Sequence, residues 1–301
     1  MPVIAIDHIS KSFGRNHAVR DISFDLHAGE IIGLLGPNGA GKTTTIRMIL
    51  DILKPDQGTI SVLGGKMDEE KKNLIGYLPE ERGLYQDITL EKCLTYLASI
   101  KGMPKDRVDS RLDALLERFN LTEYRKQKVK ALSKGMQQKA QLIATFIHHP
   151  RLVIVDEPFS ALDPVNTKVV KELLFEEREN GTAIMMSTHQ MNQAEEMCER
   201  IILINKGKIL LNDMLDDVRR QFSTNDLIIR TSGEIPADLP GVESITKLNQ
   251  HVRLSIQAGY EPNVILDAMI EHGIAIEHFS IATPTLDEIF IHAIEGAAGS
   301  S

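Results

Sequence analysis

Gly36-Pro37-Asn38-Gly39-Ala40-Gly41-Lys42-Thr43, continued by Thr44, is the stretch on which the reading of this chain turns. It fits the spacing G-x-x-x-x-G-K-[ST]. Glycines at those positions let backbone N–H groups curl around phosphate oxygens, and the helix that follows turns its positive N-terminal end toward the same anion. Lys42 is then placed to reach the β- and γ-phosphates of a nucleotide, and the Thr43 hydroxyl to hold Mg²⁺. A chance Gly-rich turn is the plainer alternative. The flanks speak against it, because Ile31-Ile32-Gly33-Leu34-Leu35 is apolar on both faces, like a buried parallel strand, and Thr44 to Leu50 runs on as a helix.

Working outward, Leu152-Val153-Ile154-Val155-Asp156-Glu157 is a second apolar run that ends in acid. A carboxylate at the end of a buried strand is where an Mg²⁺-associated Asp belongs, which suits Asp156. Glu157, one residue on, is placed to polarise an attacking water. Alone, this is also what a strand entering an acidic loop looks like; beside the phosphate loop it completes a hydrolytic site. Ala183-Ile184-Met185-Met186 is a third such run. Strands apolar on both faces imply a sheet covered by helices, an α/β core.

From about 85 to 150 the period changes. Leu90, Cys93, Leu94, Leu97 and Ile100, then Leu112, Leu115, Leu116 and Phe119, recur at helical spacing and read as a helical insertion. After Val218 short alternating strands appear, Leu227–Arg230 and Val252–Ile256, then a helix from about Asn263 to Glu271 and a strand from about Ile274. Thr285 with Glu288 three residues later forms a capping box that announces a last helix. The expected division is a core at 1–218, a small α+β domain of ferredoxin-like type at 219–296, and a loose tail at 297–301.

Composition narrows the function classes. The chain has 301 residues, 42% hydrophobic and 25% charged, with a formal net charge of -8. That balance lacks the basic footprint of nucleic-acid-binding proteins, so no nucleic-acid partner is expected. Cys93 and Cys198, the only cysteines, have neither metal-ligand spacing nor the pattern of a disulfide framework. The N-terminus lacks the features of a signal peptide, and no apolar run approaches the ~18–20 residues needed to cross a bilayer. A membrane role would therefore run through a partner.

With Leu132-Ser133-Lys134-Gly135-Met136-Gln137-Gln138 lying between the two halves of the site, residues 3–218 resemble the ABC transporter ATPases, in that family's order throughout. The resemblance implies a P-loop NTPase core. The Leu132–Gln138 segment is similar to the family's LSGGQ signature, with Lys134 replacing a glycine and Met136 the glutamine. In the family this segment caps the γ-phosphate of ATP held by the opposite subunit, which would assign Ser133 and Gly135 to ATP binding across a dimer. Ser133 also reads as an ordinary helix N-cap. Ser160-Ala161-Leu162-Asp163 resembles the family's D-loop at the dimer interface, and His189 the switch histidine that contacts the γ-phosphate. Phe13 resembles the aromatic that stacks on adenine, with core packing as the alternative.

Glu80 departs from the family. It follows Ile75-Gly76-Tyr77-Leu78-Pro79 where a glutamine that senses Mg²⁺ and water is usual. A carboxylate there can still ligate Mg²⁺, or it can belong to a solvated acidic loop. Beyond 218, Pro284-Thr285-Leu286-Asp287-Glu288-Ile289-Phe290 resembles the ending of a short extension found in one branch of exporter ATPases. Together the resemblance implies an ATP- and Mg²⁺-dependent ATPase, with Lys42, Glu157 and His189 catalytic. It would pair with a second cassette, identical or related, at the cytoplasmic face of the membrane through a separate polytopic permease, with export favoured over import. Two rivals stand beside this reading. A DNA-repair or translation ATPase would carry a long coiled-coil insertion or a second cassette, and this chain has neither. A nucleotide-dependent switch with negligible hydrolysis, suggested by Glu80 and Lys134, is separated by measuring turnover.

Overall fold

The computed structural model of the chain describes residues 1–298 apart from 82, 225, 234, 237, 238, 249, 250 and 258. In chain order the first unit contains β1 (Ile4–Phe13), β2 (Asn16–Leu26), β3 (Ile31–Leu35), α1 (Lys42–Ile49), β4 (Gln57–Val62), α2 (Glu69–Lys72) and β5 (Ile75–Leu78). There follow α3 (Leu90–Ile100), α4 (Lys105–Arg118), α5 (Lys134–Phe146), β6 (Leu152–Asp156), α6 (Pro164–Glu179), β7 (Ala183–Thr188), α7 (Met191–Met197), β8 (Arg200–Asn205) and β9 (Lys208–Met214). The remainder is α8 (Leu215–Gln221), β10 (Leu227–Thr231), β11 (Val242–Leu248), β12 (His251–Ile256), α9 (Pro262–Glu271), β13 (Ile276–Ile281) and α10 (Leu286–Ala298). One compact unit comprises Met1–Leu215 with the residues from Ala293 on, the other Asp216–His292. The division falls within α8, as does the expected cut after 218.

The central sheet has the order β5-β6-β7-β3-β8-β9. It is parallel except for the β8–β9 hairpin. Every residue of β3, β6 and β7 is buried, which is why those strands carry no polar alternation. Parallel pairing brings the carboxyl ends of five strands to one rim, where open α/β sheets bind ligands. The helical insertion is α3, α4 and α5, joined by the burial of Leu90, Cys93, Leu94, Leu112, Leu115 and Leu116. Thr89 and Ser133 cap α3 and α5 through their side-chain oxygens.

A second, antiparallel sheet, β2-β1-β4, has no counterpart in the sequence reading. Its strands bury Ile4, Ile6 and Ile9, and Val19, Ile22, Phe24 and Leu26. Their alternation is broken because His8 and Asp21 adopt left-handed conformations (φ 50° and 52°) at shifts in the β1–β2 register. Such irregularities displace the hydrophobic phase that a period-2 reading relies on.

In the other unit the strand order β11-β12-β10-β13 with antiparallel pairing suits a ferredoxin-like sheet, but the link from β10 to β11 carries no helix among the described residues. Ile265, Ala268 and Met269 of α9 pack on Leu227, Ile229 and Leu254. The capping box is present: Thr285 N–H donates to Glu288 Oε2 (2.9 Å) and Glu288 N–H to Thr285 Oγ1 (3.3 Å). Two boundaries differ from expectation. Ile274 lies just past the turn that closes α9, where its N–H donates to the Met269 carbonyl (3.0 Å) after Gly273 at φ 68°, so β13 starts at Ile276. Ala297 and Ala298 extend α10 rather than forming a tail, in keeping with alanine's helix propensity; 299–301 lie outside the described residues.

Candidate functional site

The phosphate loop follows β3 and opens α1. Gly36 sits at φ 148°, and a Cβ there would lie 2.1 Å from the Ile204 carbonyl oxygen; Gly41, at φ 114°, would meet the Ala18 carbonyl at 2.5 Å. Only glycine fits either position. Lys42 Nζ donates to the Gly36 (2.6 Å) and Pro37 (3.2 Å) carbonyls, so the loop's own backbone holds the ammonium over its centre. Gly36 and Pro37 act through these carbonyls. Asn38, Gly39, Ala40, Gly41, Lys42, Thr43 and Thr44 line a cavity of about 480 Å³ above the rim of the sheet.

One wall of this cavity is acidic and comes from neighbouring strands. Asp156 ends β6 and Ser187 of β7 lies opposite it, so the Ser187 hydroxyl donates directly to Asp156 Oδ1. Burial pushes the Asp156 carboxyl above the usual range; the Ser187 bond opposes the shift, and the charges of Glu80 and Glu157 add to it. Glu157 turns out of the strand at φ 51°. Its Oε2 accepts from Thr188 Oγ1 (3.1 Å), while Oε1 accepts from the His189 N–H (2.8 Å) and faces His189 Nδ1 at 2.6 Å. Glu80, just beyond β5, is exposed and lines the same cavity, so the structure brings together Lys42, Thr43, Glu80, Asp156, Glu157 and His189. Burial pulls Lys42 below the ordinary lysine range, and Glu157, Asp156 and Glu80 partly counter it.

The opposite wall holds Phe13 with Asn16, His17, Ala18 and Arg20 of β2, and Lys206 from the β8–β9 turn. Phe13 is 49% exposed, so its ring is open to a ligand and is not core packing. The remaining members of this wall escaped the sequence reading. Lys206-Gly207 is recognisable there as a hairpin turn, but nothing local says which cleft it borders.

Ser133 and Gly135 are not in this cavity. The Ser133 hydroxyl accepts from the Met136 N–H (3.2 Å) as the cap of α5, and Ser133 and Lys134 are exposed. Gly135 faces the Ala161 carbonyl, which a Cβ would approach to 3.2 Å, so the Leu132–Gln138 and Ser160–Asp163 segments adjoin each other.

The oxygen donors suit Mg²⁺. Among the described residues no three of His, Cys, Asp and Glu gather into a metal cage. Thr43 and Asp156 face the cavity, with Glu80 nearby. Such a set would suit a hard cation that takes its other ligands from phosphate and water, as Mg²⁺ does beside nucleotides.

The comparisons agree with this architecture. Residues 19–160 match the family model described as ABC transporter, and residues 214–294 match that of the ATP-binding protein DrrA1-3-like, C-terminal domain. The ABC transporter ATP-binding protein YhaQ of Bacillus subtilis, itself uncharacterised, is 39% identical over 294 residues, 97% of this chain and 98% of its own length. The linearmycin resistance ATP-binding protein LnrL of the same organism is 30% identical over 303 residues, 96% of this chain and 97% of its own. A solved structure of the ATP binding subunit of an ABC transporter superposes with a TM-score of 0.70 at 33% identity, covering 73% of this chain and 93% of that one. No helix among the described residues is long and apolar enough to cross a membrane. From the phosphate loop to the last helix, then, this chain belongs to the ABC transporter ATP-binding proteins, the ATP-hydrolysing subunits of these transporters.

Proposed function

We propose that this ABC ATPase works as one of two cassettes that enclose two ATP molecules and, by closing and opening, drive export through a separately encoded polytopic membrane subunit. The observation that carries this reading is the separation of Ser133 and Gly135 from the cavity that holds Lys42 and Glu157. Either cavity is then incomplete until the exposed first turn of α5 from a second cassette, identical or related, covers it. That turn offers a hydroxyl and free N–H groups to the γ-phosphate, and the adjoining Ser160–Asp163 segment would lie at the same interface.

Within the cavity, Lys42 exchanges its bonds to the Gly36 and Pro37 carbonyls for the β- and γ-phosphate oxygens. A carboxylate has about four acceptor positions. Three on Glu157 are filled by Thr188 and His189, and the fourth is free to take the proton of the attacking water. His189, with its side chain 55% exposed, is placed beside the γ-phosphate, which it can hold when Nε2 carries a proton. Thr43 and Asp156 would hold Mg²⁺, with Glu80 as a further carboxylate, and the bound ion would neutralise phosphate charge. Phe13 offers its face to adenine.

Export is favoured by the DrrA-like C-terminal match and by a relative named for linearmycin resistance. The Glu80 loop and the helical insertion would receive the membrane subunit, which keeps the ATPase at the cytoplasmic face. The composite pocket is tested by mixing Lys42→Ala with Ser133→Ala. Each variant alone is inactive, but a heterodimer rebuilds one intact pocket from the unaltered Lys42 of one copy and Ser133 of the other. Absence of any gain, once heterodimers are verified, refutes the shared pocket. Direction is read from inverted vesicles containing the membrane subunit: an exporter accumulates substrate when ATP is added outside.

A further inference from the structure

Parallel pairing orders the cleft residues. Across the sheet, β5, β6, β7, β3 and β8 are successive neighbours. At their carboxyl ends stand, in the same order, Glu80, Asp156 with Glu157, His189, the phosphate loop, and Lys206. The hydrolysing carboxylates lie on one side of the loop and Lys206 on the other. From β6 to β8 there are three interstrand steps of ~4.8 Å, roughly 14 Å in all. Lys206 therefore starts from the side of the loop opposite the hydrolysing carboxylates, on the wall that also carries Phe13.

Lys206 is held there by its neighbour. The Gly207 N–H donates to the Ala40 carbonyl of the phosphate loop (2.8 Å), and the Gly207 carbonyl accepts from the Arg20 N–H (2.7 Å). Gly207 sits at φ 79°, where a Cβ would meet the Ala18 carbonyl at 2.8 Å, so β2, the turn and the loop are pinned at one glycine. Lys206 itself is left-handed, at φ 49°. The two-residue turn between paired Asn205 and Lys208 requires positive φ at both positions, a slot that favours Asn, Asp or Gly, so the hairpin itself fixes the backbone of Lys206. Arg20 Nε donates to the His17 carbonyl (3.4 Å), and Asn16, the partner of Phe13 in the hairpin, lines the same wall. Among the described residues neither Arg20 nor Lys206 has a carboxylate partner, whereas nearby Lys11 is paired with Asp56 and Arg200 with Asp25.

Two cations without a carboxylate partner among the described residues therefore line the same wall as Phe13, on the side of the loop away from the hydrolysing groups. We infer that Arg20 and Lys206 form a cationic subsite for the α-phosphate, the group that ATP, ADP and AMP share. This rests on reading the cavity as the nucleotide site. Contacts to a group that does not change during hydrolysis bind ground and transition states alike, so they lower KM and leave kcat alone.

The test compares wild type with Arg20→Gln, Lys206→Asn and the double variant; asparagine removes the charge and still suits the left-handed turn. ATP, ADP and AMP affinities are measured by competition against a fluorescent nucleotide, alongside steady-state hydrolysis. The double variant is expected to weaken all three by one common factor of roughly ten, the scale of a charge-assisted bond or two. KM for ATP should rise by the same factor while kcat at saturation holds, and Arg20→Lys should recover most of the single-variant loss. Weakening of ATP alone, unchanged AMP affinity, a lowered kcat, or no change at all each overturns the inference. Lys42→Ala run in parallel separates the two failures. If it binds ATP like wild type, the reading of the cavity falls; if it loses ATP while the double variant binds all three normally, only the α-phosphate subsite falls.

Discussion

Replacing Glu157 by Gln should stop the chemistry without unfolding the site, and the hydrogen bonds say why. The amide oxygen can keep both contacts to His189, and the amide NH₂ can turn to Thr188 Oγ1, whose hydroxyl is a rotor. Exchanging a charge-assisted bond for a neutral one costs about 1 kcal/mol each. Relief from burying a charge at a residue only 8% exposed, beside Asp156, offsets much of that. The net change in stability should stay within about 2 kcal/mol, small against the 5–15 kcal/mol of an ordinary fold. Catalysis suffers more, because no group remains at the fourth acceptor position to take the water's proton. General-base assistance amounts to about 10²–10⁴ in rate, or roughly 2.7–5.5 kcal/mol of barrier. Nucleotide binding rests on the phosphate loop and should persist, so the ATP-bound dimer should accumulate. Single-turnover phosphate release, thermal unfolding and size-exclusion chromatography with MgATP measure the three parts separately. A variant that turns over like wild type, or that loses activity only because it has unfolded, refutes the assignment of Glu157.

Glu80→Gln should raise basal hydrolysis and weaken its dependence on the membrane subunit, because it removes one of the charges that resist ionisation of Asp156; a lower rate with a higher Mg²⁺ requirement would instead make Glu80 a needed ligand. Gly36→Ala should abolish ATP binding and destabilise the fold by about 2–3 kcal/mol, since its methyl would sit 2.1 Å from the Ile204 carbonyl; thermal unfolding with and without ATP checks both. His148, whose Nε2 lies 3.2 Å from the Ile75 carbonyl, is pushed down to about 4, first by burial and then by Lys101. As pH falls below about 6.5 the unfolded chain binds this proton and the folded one does not, so stability should drop between pH 6.5 and 4 by up to about 3 kcal/mol. Urea titrations across that window should show a steeper loss for wild type than for His148→Gln, and equal slopes would contradict the assignment.

What the sequence determined by itself is local. The phosphate loop was legible because its turn, its backbone donors and the helix it opens lie within consecutive residues, and glycine is required at Gly36 and Gly41 by their own φ angles. Asp156 and Glu157 were legible because a wholly apolar strand ending in acid needs no partner to be seen. The helical insertion and the Thr285–Glu288 box followed from spacing within single elements. The antiparallel β2-β1-β4 sheet was not, since left-handed His8 and Asp21 shift the alternation on which strand reading depends. Tertiary structure alone decided the rest. The Glu157–His189 contact exists because Asp156 and Ser187 are register partners across β6 and β7. Glu80 faces the cavity because β5 pairs with β6. The basic wall exists because Gly207 ties β2 to the phosphate loop, and Ser133 stays outside because α5 starts beside Ala161 rather than over Lys42. Each of these is a pairing between segments distant in the chain, chosen by which faces can be buried together, and no local propensity encodes that choice.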